Sequence, residues 1–133
     1  MTCGVLLYSY AMLLQIETRP VEPDITVLIC SGKITLGRES QRIEMLVKEL
    51  LDKDQKKLVF DLSGVTYIDS TGLGIITFCS ASAAEAGGAL RVAGATGLAQ
   101  KLFRITRLDT IIGVFPTVEA ACASLASVGK AGA

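Results

Sequence analysis

Val59-Phe-Asp-Leu-Ser-Gly-Val-Thr-Tyr-Ile-Asp-Ser-Thr-Gly-Leu-Gly-Ile75 changes character halfway along. Leu58-Val-Phe-Asp-Leu62 is a short apolar run that predicts a strand. Ser63-Gly64 and Val65-Thr-Tyr-Ile68 lead from it to Asp69-Ser-Thr-Gly-Leu-Gly74, where Asp, Ser and Thr are the residue types preferred at a helix N-cap. From Ser70 through Ala84 no side chain is charged, and the expected helix runs to Gly87-Gly88. A strand that feeds directly into a helix is the unit from which layered α/β domains are assembled.

The same alternation extends in both directions. Upstream, Met12 to Pro20 alternates as a first strand would. Ile25 to Ser31 is a β-branched second strand closed by Gly32, and residues 38–53 form a helix whose stripe is Ile43, Leu46, Val47, Leu50 and Leu51. Asp52 to Lys57 is expected to be a solvated turn. Downstream, Ala89–Ala93 is a strand. Thr96–Thr106 is a helix with Leu98, Leu102 and Ile105 inward and Lys101 and Arg104 outward, and Thr110–Phe115 is a last strand. An alanine-rich helix then ends near Val128, with Thr117 as its cap. The expected fold is a single α/β domain with a mixed, mainly parallel sheet of about five strands and about four helices. The first two strands pair antiparallel, because only a Pro-containing turn separates them.

Composition narrows the function. The chain has 133 residues, a length for one domain, and its 13 basic and 13 acidic side chains leave no excess for a general nucleic-acid surface. It has no histidine, which removes Ser-His-Asp and Cys-His nucleophiles and His-ligated metals together. Cys3, Cys30, Cys79 and Cys122 lack zinc-site spacing and read as small buried hydrophobes in a reducing, cytoplasmic setting. Neither a metal nor a cofactor is expected. The apolar opening, Cys3 to Leu14, lacks a positive n-region and is too short to span a bilayer, so no membrane insertion is expected. Residues 1–11 read as an extension upstream of a start at Met12, with an extra strand or flap as the alternative, and 129–133 as a disordered tail.

Three apparent motifs carry little. Gly72-Leu-Gly74 lacks the third glycine and the downstream acid of a dinucleotide site. Asp61 and Asp69 read as structural carboxylates rather than a catalytic pair. Lys101, Arg104 and Arg107 read as a solvated helix face that could assist docking. The start of the central helix carries more. Gly72 and Gly74 each cost about 1 kcal/mol relative to alanine inside a helix, so their presence points to close backbone approach by the sheet or by a partner. If Leu73, Ile76, Thr77, Ser80 and Ala83 face the core, then Ile75, Phe78, Cys79 and Ser82 point elsewhere. An uncharged face of that kind is covered by a partner or by an overlying N-terminal flap. Phosphorylation of a hydroxyl at its rim would add about −1.5 to −2 charge.

These residues resemble the signature of the STAS family, the anti-sigma factor antagonist domains. The similarity extends from about Ile25 to Leu125 and includes Gly32-Lys-Ile-Thr-Leu-Gly37, the Gly87-Gly88 turn and Leu102-Phe-Arg-Ile-Thr-Arg-Leu108. The resemblance implies a non-enzymatic signalling module over residues 12–128. Ser70 would be the phosphoacceptor, with Thr71 a secondary one, and Asp69, Gly72 and Gly74 would support the motif. Ile75, Phe78 and Ser82 are expected to bind the partner, an anti-sigma factor that is also a serine kinase. The unmodified antagonist holds the kinase and frees a sigma factor, and a PP2C-type phosphatase resets the cycle. A homodimer could use the same face. One departure stands out: Gly32-Lys33-Ile34-Thr35 has no carboxylate where many antagonists carry one in the turn after the second strand. The alternative function is a constitutive STAS interaction subunit of a transport complex or signalling scaffold.

Overall fold

The structure, a computed structural model, describes residues 14–35 and 37–128. The expected extension 1–11 and tail 129–133 lie outside the described residues, as does Cys3. The elements run β1 (Leu14–Val21), β2 (Ile25–Ile34), α1 (Arg38–Asp52), β3 (Lys57–Ile68), α2 (Ser70–Glu85), β4 (Ala89–Ala93), α3 (Gly97–Ile105), a 3₁₀ turn (Leu108–Thr110), β5 (Gly113–Phe115) and α4 (Val118–Leu125). The strands lie side by side in chain order. β1 pairs antiparallel with β2, from Val21↔Ile25 to Leu14↔Gly32, and the other three pairings are parallel. Among the described residues, the α/β fold and the mixed, mainly parallel five-stranded sheet with four helices are as the sequence predicts.

Alternation along the strands builds the two sides of the sheet. Leu58, Phe60 and Leu62 of β3 join Leu28, Cys30, Leu90 and Val92 in the larger core, closed by Ile43 and Val47 of α1, Leu73 and Ile76 of α2 and Phe103 of α3. Val27, Val59 and Ala93 form a smaller core with Ala121 and Leu125 of α4. Thr117 caps α4, its side chain accepting from the Ala120 N–H.

Several sequence expectations are corrected. β2 does not close at Gly32 but continues to Ile34, through register shifts that Gly32 accommodates at φ 107°. β3 does not stop at Leu62 but runs on to Ile68, which brings the ends of β2 and β3 alongside each other, Ile34 against Ile68. Lys57 is no turn residue: it opens β3, buried, with its ammonium 3.0 Å from Asp24. In α3 the inward residues are Ala99 and Phe103, while Leu98 and Ile105 are exposed and Leu102 is half-buried. An i, i+4 pair one position along from Leu98 and Leu102 takes the core, with Phe103 buried in the same cluster as Leu90, Val92 and Ile112. Both stripes are apolar at helical spacing, so packing against the sheet selects between them. The last strand shrinks to three residues, because Leu108–Thr110 coils into the 3₁₀ turn and the strand opens only at Gly113.

Candidate functional site

The end of β3 delivers Asp69 into the first turn of α2. The Asp69 N–H donates to the Ile34 carbonyl at 3.2 Å, which ties the helix start to the end of β2. Its carboxylate then accepts from the Gly72 N–H at 2.8 Å. That is an N-cap, the role this residue type favours most. Ser70 is therefore the first helical residue, exposed beyond the cap, and Thr71 beside it is half-buried. First-turn amides have no i−4 carbonyl, so a negative group on Ser70 would sit at the positive end of the helix dipole.

The two glycines part company. A Cβ on Gly72 would run into the Ile34 carbonyl oxygen and come within 2.9 Å of both Ile34 Cγ2 and Ile68 Cγ1, so this position lets the helix start sit directly on the ends of two strands. Around Gly74 there is nothing within 4 Å of where a Cβ would stand. Close approach to the sheet accounts for the first glycine and not for the second. Ser70, Gly74 and Phe78 follow one another at i, i+4 and i+8 along the outward side of α2, all exposed.

The other expected contact residues divide. Phe78 is 55% exposed. Ser82 is half-buried and, with Phe78, lines a cleft of about 500 Å³ between α1 and α2, whose other wall carries Glu44, Met45 and Lys48. Ile75 is half-buried and packs partly against the large core. Cys79, read from sequence as facing away from the core, is buried at the floor of that cleft, and Thr77 and Ser80, read as core-facing, are only half-buried. The reason lies in α2 itself, which is apolar nearly all round, so its own pattern does not mark the inward side. Burial, with the Glu44 carboxylate nearby, pushes the Cys79 thiol up to about 12, and burial with Asp61 does the same to Cys30, so both stay protonated and inert. Cys122 is half-buried and shifted upward as well, chiefly by burial.

Sequence reasoning missed Met45, which is 70% exposed and faces the same cleft as Phe78. The signal was present: Met45 is an apolar residue outside the buried stripe of α1, on a side otherwise charged. The stretch expected to be a turn, Gly32–Thr35, is largely the end of β2, with Lys33 exposed and paired to Tyr67, and it contains no carboxylate. Asp61 stands eight residues before Asp69 along β3, roughly 26 Å at strand rise, and its Oδ1 accepts from the Ser63 N–H and hydroxyl at 3.0 and 2.8 Å. The two carboxylates do not form a pair. Among the described residues no cluster of three metal-ligating side chains occurs, and no helix is long and apolar enough to cross a membrane.

What this arrangement offers chemically is a neutral hydroxyl at the edge of an apolar, charge-free helix face, held in place by a capped helix start. That defines a binding module of the layered α/β type. The STAS domain model matches residues 18–121, and the chain belongs to that family, whose anti-sigma antagonist members are regulatory and non-catalytic. A Thermotoga neapolitana protein assigned as an anti-sigma factor antagonist, the TM1081 homolog, is 26% identical over 98 residues, covering 74% of this chain and 87% of its own. The crystal structure of the Thermotoga maritima protein TM1081, likewise assigned as an anti-sigma factor antagonist, superposes with a TM-score of 0.76 at 23% identity, over 83% of this chain and 93% of that one. The Bacillus cell fate determinant SpoIIAA in its phosphorylated form gives 0.66 at 14% identity, over 83% and 98%.

Proposed function

We propose that this chain is an anti-sigma factor antagonist whose binding is switched by phosphorylation at Ser70. The observation that carries the reading is the position of Ser70: exposed, in the first turn of α2, just outside the Asp69 cap and in line with Gly74 and Phe78. The unmodified face, with Gly74 left flat and Phe78 projecting, takes the surface of an anti-sigma factor that is also a serine kinase, and so releases a sigma factor. Ile75 and Ser82 border the contact. A phosphate on Ser70 is tolerated by the helix terminus but not by an apolar partner surface, so binding ends without unfolding. Thr71, half-buried, is the secondary acceptor. A PP2C-type phosphatase restores the neutral hydroxyl. The working domain is residues 12–128, acting in the cytoplasm. Support comes from the names of the relatives and from SpoIIAA, a protein of the same fold that exists in phosphorylated form.

A second reading rests on one observation, the exposed Lys33 and the absence of any carboxylate over residues 31–35. If an acid there assists the kinase, this chain would be a constitutive STAS subunit of a transport complex or scaffold.

The deciding experiment combines phosphopeptide mass spectrometry of the native protein with affinity measurements on Ser70→Asp and Ser70→Ala. The switch predicts modification at Ser70. It also predicts that Ser70→Asp binds the anti-sigma kinase about 100-fold more weakly, equivalent to about 3 kcal/mol, with an unchanged melting curve. A Ser70→Asp variant that binds like wild type removes the electrostatic mechanism. An unmodified chain that co-purifies in fixed ratio with an assembly selects the scaffold.

A further inference from the structure

The helix α3 buries Ala99 and Phe103, packs Leu102 partly against the core and leaves Leu98 and Ile105 outside. Leu98 is 39%, Ile105 63% and, just past the 3₁₀ turn, Ile111 71% exposed. At 100° per residue Leu98 and Ile105 lie on one stripe, and Lys101 and Arg104 form a second stripe along its outer flank. Arg107 follows at the helix end, with φ 62°. Among the described residues none of these three cations has an ion pair within 4 Å, whereas Lys48, Lys56 and Lys57 each do. The sequence outside the described residues offers few acids to supply one, since residues 1–13 contain neither Asp nor Glu. Residues 97–111 hold three cations against the single acid Asp109, a local charge of +2 in a chain that is neutral as a whole.

An apolar stripe bordered by unpaired cations is complementary to a helix with an apolar stripe bordered by carboxylates. We propose that the outer face of α3 and the following 3₁₀ turn is a second docking surface, for an acidic amphipathic segment of a partner protein. Leu98, Ile105 and Ile111 supply the apolar contact, and Lys101, Arg104 and Arg107 set the sign and register. The surface is carried by a different helix from Ser70, so its occupancy is independent of phosphorylation there. The chain can then stay attached to one protein while the α2 face engages and releases another.

The test uses the full chain and a synthetic helical peptide of about 18 residues, a length that can hold helix, with leucine at i, i+3, i+4 and i+7 and glutamate between. Its counterpart replaces every glutamate by lysine. Amide chemical-shift mapping is expected to move residues 97–111 with the acidic peptide and to leave 70–82 in place. Affinity should fall about tenfold or more with Lys101→Glu/Arg104→Glu, with Ile105→Asp, and with the lysine peptide, and should weaken with rising salt. Ser70→Asp should bind the acidic peptide unchanged. Equal affinity for both peptides, or shifts that map to α2, overturns the proposal. So does binding of phosphatidylglycerol vesicles without binding of the acidic peptide, which would make the face a membrane contact. Concentration-dependent dimerisation abolished by Ile105→Asp, without peptide binding, would make it a self-association surface and overturns it too. Ile105 and Arg104 are exposed, so neither variant threatens the fold.

Discussion

The inward and outward sides of α2 are built from nearly the same kinds of residue and do different work. Inside, Gly72, Leu73, Ile76, Cys79 and Ala83 are buried against the strand ends and α1. Outside, Ser70, Gly74 and Phe78 are equally uncharged and exposed, with Phe78 on the rim of the cleft toward Met45. On the inward side each small or apolar residue is explained by a neighbouring atom. On the outward side Gly74 has no atom near it and Phe78 stays 55% exposed, although an exposed glycine costs helix stability and an exposed phenylalanine does nothing for solubility. The difference teaches that an apolar residue is informative about binding only after its intramolecular partners have been accounted for.

The sharpest way to break the contrast is to add the same methyl group to both glycines. Gly72→Ala drives a Cβ into the Ile34 carbonyl and is expected to cost about 3 kcal/mol, read as a large drop in denaturation midpoint; a wild-type midpoint would mean that α2 does not sit on the strand ends. The next largest effect belongs to the buried thiols. Cys79 and Cys30 remain protonated in the folded state up to about pH 12, whereas in the unfolded chain they ionise near their ordinary value of 9.0. The native state then holds more protons, so stability is level below about pH 9 and falls above it, each thiol contributing about 1.4 kcal/mol per pH unit. Urea midpoints of wild type and Cys79→Ala measured between about pH 8.5 and 10.5 should converge as pH rises; parallel curves would place Cys79 in contact with water.

Gly74→Ala should do the reverse of Gly72→Ala. With no atom near the added methyl, it should raise stability by about 0.9 kcal/mol through helix propensity alone, while weakening any partner that lies flat on the helix. Unchanged partner affinity would return Gly74 to a role without function. The smallest effect on the fold comes from Phe78→Ser, expected to move stability by no more than about 0.5 kcal/mol while partner affinity falls about tenfold. A large loss of stability would mean that Phe78 packs more tightly across the cleft toward Met45 than its exposure indicates.

Much of this was legible beforehand, because it is written in local chemistry. Asp69 caps α2 and Thr117 caps α4, as their side chains and positions predict, and the three residues between β1 and β2 leave room only for an antiparallel return. The strands and helices alternate where the hydrophobic period changes. Residues with two compatible environments were less readable. Lys57 looks like part of a charged turn, yet its stem lies in the sheet and its ammonium reaches Asp24. Leu98, Leu102 and Ile105 form as regular a stripe as Ala99 and Phe103, and only packing chooses between the two.

The sequence by itself determined the order of elements, the mixed sheet, the capped start of α2 and the signature that places the chain in its family, because each depends on residues a few positions apart. Tertiary structure alone decided which side of α2 faces the core. It separated Gly72, pressed against Ile34, from Gly74, facing open space, and it put Cys79 on the floor of a cleft while leaving Met45 and Phe78 exposed beside it. The physical reason is that an uncharged helix has no internal marker of direction. Its orientation is set by the strand ends and the neighbouring helix that pack against it, and those are distant in sequence.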